Sequence, residues 1–192
     1  MPTYADRARF ESLFPGAIIL SFRDAWPRVH PSAFIAPGAV VIGNVAIGEE
    51  SSVWFHTTVR GDIAPITIGA RTSIQDGTVV HVNEDAPVII GDDVTIGHGA
   101  LIHGTTIRDR VLVGMGAIVL SYSTIGANAV IAAGALIAER AEVPDGVVMV
   151  GVPAKPRDRL GSEQEERLAS IPDRYVGVRG EYLDLLRSGS PD

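Results

Sequence analysis

Aliphatic residues recur along most of this chain at intervals of six. Val29, Ile35, Val41, Ile47, Val53 and Val59 form a first run. Ile68, Ile74 and Val80 form a second, and Ile90, Ile96 and Ile102 a third. A fourth continues through Val113, Val119, Ile125, Ile131, Ile137, Val143 and Met149. Every position in the series except the last is Val or Ile. Glycines stand beside them, at Gly43, Gly48, Gly69, Gly91, Gly97, Gly114 and Gly126, where tight corners need conformational freedom. A period of six is neither that of a helix nor that of an ordinary strand.

The period predicts short flat strands that turn a corner at each step, three sides to a coil, with one aliphatic residue per side pointing inward. Each inward residue stacks on the one a coil away, and burial of a Val or Ile contributes roughly 1.5–3 kcal/mol. The pattern resembles the left-handed parallel β-helix of hexapeptide-repeat proteins. It divides the chain into an N-terminal strand and lead-in over 1–28, a β-helix over 29–158, and a C-terminal helical segment with a tail over 159–192. The apolar "GAIILSF" (16–22) reads as the N-terminal strand. Ser162 with Glu165 predicts a capping box. Pro172 predicts a break between two helices. Tyr175, Val178, Tyr182, Leu185 and Leu186 share one helical face, and the final "SGSPD" should fray.

Counting sides places the histidines. With Val59 on side one, and each interruption after Val59 and Val80 taken as one long corner, Val80 and Ile102 return to side one. His81 and His103 follow them directly, so both point outward, stacked one coil apart at about 4.8 Å. Arg60 lies below them in the same column. His98 falls on side three, above Asp76 and beside Gln75. It does not easily join the His81–His103 pair within one chain, but it can join that pair on a neighbouring subunit, as a threefold assembly would allow. His30 and His56 lie outside these columns.

Three neutral imidazoles with one open position form a catalytic metal sphere of the zinc type. Such an ion lowers the pKa of its bound water and makes hydroxide available. Zn, Fe(II) and Co(II) all suit three imidazoles. The chain has no cysteine, so thiolate ligands and disulfides are excluded. Its 192 residues, 46% hydrophobic and 20% charged with a net charge of −7, suit a single globular domain and argue against nucleic-acid or anionic-membrane partners. The longest early apolar run falls short of the roughly 18 residues of a membrane span, which makes the cytoplasm the expected location.

The segments "VRGD" (59–62), "SIQDGTVVHVNEDAPVIIGDDVTIGHGALIHG" (73–104) and "GVPAKP" (151–156) resemble those of γ-class carbonic anhydrases and their close homologues. The resemblance implies a homotrimer and a lyase that reversibly hydrates CO2 to bicarbonate. It assigns His81 and His103 of one subunit and His98 of its neighbour as metal ligands. It further implies that Arg60 and Asp62 form an interfacial ion pair with Asp76 as a partner across the contact. Gln75 is the implied hydrogen-bonding residue for water or bicarbonate, Tyr175 the C-terminal tyrosine near the site, and Asp62 part of the catalytic machinery. The chain departs from the family prototype in having Ile63 after the Arg-Gly-Asp motif. It also has only the short "VNEDAP" turn (82–87), where Glu84 is the candidate proton relay. A metal-dependent thioesterase, a hexapeptide acyltransferase and a non-enzymatic trimeric scaffold are the alternative readings on the same architecture.

Overall fold

A computed structural model describes residues 10–188 of the chain. After a short helical segment at 10–13 the chain winds into a parallel β-helix of about seven turns, closed by one long C-terminal helix, Ser162–Ser188. The last four residues of the tail lie outside the described residues. Among the described residues no helix is long and apolar enough to cross a membrane.

The six-residue steps become three stacks of buried aliphatics. On side one Ile19, Val41, Val59, Val80, Ile102, Val119 and Ile137 lie in register. Side two stacks Val29, Ile47, Ile68, Ile90, Ile107, Ile125 and Val143. Ile35, Val53, Ile74, Ile96, Val113, Ile131 and Met149 do so on side three. Apart from the partly buried Val29, every one of these side chains is buried. Between the two ends of the coil each parallel rung is hydrogen-bonded above and below, so the fold combines a continuous apolar core with paired backbone.

Two interruptions of the repeat are long corners, as the count required. Strand Thr58–Ile68 carries the first within itself, pairing with Val79–His81 on side one and with Val88–Ile90 on side two. The second is the turn after His81, closed by paired backbone hydrogen bonds between Asn83 and Ala86. The third is different. Ile107 is an inward residue of side two, so the chain passes from Ile102 to Val113 through a shortened five-residue step and then a normal one. Gly104, at φ 53°, takes that tighter corner.

Glycine is needed elsewhere for close approach. A Cβ on Gly69 would meet the Gly91 backbone at 2.6 Å and the Asp92 carboxylate at 2.2 Å.

The C-terminal segment is one continuous helix with Pro172 inside it, not two helices. An interior proline costs about 3 kcal/mol, and tertiary packing outweighs it. Tyr175, Val178, Tyr182, Leu183 and Leu186 pack on Phe34, Ala36 and Trp54 of side three. Arg71 pairs with Asp173 at one point of the helix, and Arg179 bonds the Ser32 carbonyl and Glu50 further along. Leu183 joins this contact in place of Leu185, which is 49% exposed. The helix start also differs from expectation. Gly161 donates its N–H to the Gln164 side chain at 3.0 Å, and Glu165 N–H makes the first helical bond to the Gly161 carbonyl, so the start is capped from one side by Gln164, and Gly161 rather than Ser162 stands at the N-cap.

Candidate metal centre

The His81–His103 column forms as the register predicts. Arg60, His81 and His103 are successive Cα partners on three adjacent rungs. Because the inward residue before each is locked in the core, the two imidazoles are held on the outer face. His81 Nδ1 and His103 Nε2 face each other at 3.1 Å. Two nitrogens bound tetrahedrally to one zinc at 2.0–2.1 Å stand about 3.3 Å apart. The pair therefore already has nearly the separation that a shared metal demands.

The remaining ring nitrogens are engaged. His81 Nε2 bonds Asp62 Oδ1 at 3.0 Å, and Asp62 is also paired with Arg60. His103 Nδ1 meets the Ser121 hydroxyl at 2.8 Å, which in turn accepts from the Asn83 amide at 3.1 Å. Each ring is thus oriented by an outer partner with one nitrogen turned to its neighbour, the arrangement that metal-bound histidines show. Burial first, then the positive potential of His81 and Arg60, holds the His103 imidazole below its ordinary pKa, against a smaller opposing effect of Glu139. That favours the neutral, ligating form. Burial alone would raise the Asp62 carboxyl. Hydrogen bonds from His81 and Arg60 outweigh it and hold Asp62 below the usual carboxylate range.

His98 stands apart. It lies at the corner between sides three and one, just before Gly99, whose φ of 65° turns the chain. Its Nδ1 contacts Asp76 Oδ2 at 2.9 Å, and its side chain is 52% exposed. Side one runs between this corner and the one that follows His103. The five-residue interval between His98 and His103 is therefore the width of one side. Among the described residues of the single chain, no group of three histidine or carboxylate donors converges. One chain brings together two of the three expected ligands and presents the third at another edge.

Gln75 is 4% exposed and, with His98 and Tyr175, lines one cavity. Tyr175 is also edge-on to Trp54, so it packs the helix and reaches that cavity together. Asp76 is engaged by His98, whereas Arg60 and Asp62 pair with each other within the chain. Glu84 is exposed in the turn, and among the described residues the side-chain polar contacts of His81, His98 and His103 run to Asp62, Ser121, Asp76 and each other, not to Glu84. Ser121 and Asn83 were not singled out from the sequence. Carrying the column count one coil further, to Val119, would have put Leu120 above His103 and Ser121 beside it.

A family defined by the hexapeptide repeat of succinyl-transferase matches residues 87–121. A carbonic anhydrase of Geobacillus kaustophilus is 38% identical over 170 residues, covering 88% of this chain and 93% of that protein. The chain belongs to the γ-class carbonic anhydrase family. Such a family is one of lyases. Mitochondrial γ carbonic anhydrase 2 of Arabidopsis thaliana is 39% identical over 83% of this chain, which spans 60% of that protein's length. A hexapeptide transferase family protein from Anaplasma phagocytophilum superposes with a TM-score of 0.83 at 34% identity, over 86% of this chain and 98% of that one. This chain thus shares its scaffold with a protein named as one of the hexapeptide transferase family, and the site rather than the coil must separate the two readings.

For this γ-class chain, Asp62→Asn should keep the shape of the outer partner but lose its charge. Metal affinity is expected to fall about 10–100-fold, with the fold intact. Chelator competition against the parent measures it.

Proposed function

We propose that the chain is a metal-dependent carbonic anhydrase of the γ type, assembled as a homotrimer that completes its site between subunits. The observation that carries this reading is the facing pair His81 Nδ1 and His103 Nε2, each ring held from behind. His98 of an adjacent subunit, steadied by Asp76, supplies the third nitrogen. A divalent ion there, Zn, Fe(II) or Co(II), would supply a hydroxide nucleophile from water near neutral pH.

The chain's own residues do the rest. Asp62 fixes the His81 ring and Ser121 the His103 ring, so both rings are held in place when an ion takes the position of the hydrogen bond between them. Asp62 also holds Arg60 at the foot of the column, on the rung below His81. The Gln75 amide, at the His98 end, hydrogen-bonds the anion and orients it. Tyr175 closes the same cavity from the helix. In the trimer, Arg60 and Asp62 of one subunit lie toward Asp76 of the next, which ties assembly to the site.

Stopped-flow CO2 hydration on protein of known metal content, loaded with Zn or anaerobically with Fe(II), tests the reading. Turnover that tracks metal content supports it. Metal bound without turnover in either form would refute it and turn attention to thioester hydrolysis, acyl transfer or a scaffold role.

A further inference from the structure

Side three carries an outward column that runs Trp54, Gln75, Gly97, Gly114, Ala132. Low in the coil, Trp54 fills the space between the sheet and the C-terminal helix. Higher up the column shrinks to glycine and alanine, and nothing of comparable size replaces the indole. A groove of about 570 Å³ opens there. Clefts of roughly 300–1,000 Å³ hold ligands of drug size, so this one is many times larger than CO2 or bicarbonate requires.

Its helix wall contributes Arg167 and Arg174. Seven residues apart, they share one helix face and stand about 10.5 Å apart along the axis. Neither guanidinium has an ion-pair partner among the described residues. In a chain of net charge −7, two unneutralised cations in one groove are a local reversal of sign. Arginine recognises carboxylates through paired N–H donors. The rest of the lining is chiefly apolar, with Leu112, Val130 and Met115 among the side chains.

We propose that this groove binds an organic carboxylate with an apolar body, the carboxylate on Arg167 or Arg174 and the body along the Gly114–Ala132 floor. Its lower end is the Gln75, His98 and Tyr175 lining that the proposed function gives to the anion, and the occupant lies above that end, over the Gly114–Ala132 floor.

Octanoate is the probe. Titration calorimetry on the full-length, metal-loaded protein is expected to show saturable binding at one site per chain. Octanol and inorganic phosphate should each bind at least about tenfold more weakly, as each keeps only half of the match. Ala132→Leu should fill the floor and abolish binding. Arg167→Ala with Arg174→Ala, both on the exposed helix surface, should weaken it about tenfold or more. Circular dichroism, metal content and CO2 hydration on the same samples report folding and the metal site separately. A lack of CO2 hydration with octanoate binding intact would then count against the proposed function and not against this groove. No saturable binding, equal affinity for octanol, or binding unchanged in both variants overturns the proposal.

Discussion

His103→Ala is expected to empty the metal centre and reduce CO2 hydration to the buffer rate, while leaving the coil folded. The imidazole projects outward from a rung whose inward residue, Ile102, carries the packing. Removing it takes away one of the three nitrogens proposed to hold the ion and leaves His81 Nδ1 without its facing partner. It also frees Ser121, which can turn to the Asn83 amide that it already accepts. No buried charge is stranded, so the stability change of the metal-free protein should stay within about 1 kcal/mol, the range of surface substitutions and single hydrogen bonds. Metal analysis, stopped-flow rates and a denaturant melt of the apo protein separate the two effects. Full metal occupancy in the variant would remove His103 from the ligand set.

The second large effect lies one residue away and has the opposite character. Ile102→Ala should cost about 2–5 kcal/mol of stability. Ile102 is fully buried between Val80 and Val119 in the side-one stack, and a rigid coil cannot collapse around the gap. Each rung positions the next, so the loss also loosens His103 on the same rung and His81 on the rung below. Metal affinity should therefore fall together with stability, whereas His103→Ala uncouples them. Chemical denaturation with metal titration of both variants measures the contrast. A loss below about 1 kcal/mol at Ile102 would mean that the stack is not the cooperative core it looks to be.

These two neighbours show why so much could be read from the sequence. A β-helix converts a one-dimensional period directly into three-dimensional columns, because each inward residue fixes which way the next one points. Val59, Val80 and Ile102 sufficed to place Arg60, His81 and His103 in one column, and Ile96 to place His98 over Asp76. The count needed no knowledge of how long the corners after Val59 and Val80 were, only that each was a single corner.

Features outside the period were harder to read. Ile107 escaped because its corner is one residue short, and nothing in the side chains signals a deletion that a positive-φ Gly104 absorbs. Pro172 signals a helix break by its local chemistry, yet the aromatic contact with Phe34 and Trp54 and the arginine clamps at Asp173 and Ser32 keep the helix whole. That decision belongs to tertiary packing, which a local rule does not contain. The arginine groove was missed for a related reason. Arg167 and Arg174 look like ordinary solvated helix charges until Gly97, Gly114 and Ala132 are seen to lie opposite them.

The central claim is that each site is built from His81 and His103 of one subunit and His98 of another. Mixing two inactive variants tests it most directly. His98→Ala and His103→Ala are unfolded together, refolded as a mixture, and assayed for metal and CO2 hydration. In a random assembly a contact is complete only when the first chain brings His103 and the second brings His98, which gives about one site in four. The account predicts recovery of about a quarter of the parent's metal and activity. Mixed trimers, verified by native mass spectrometry, that remain empty and inactive would contradict it.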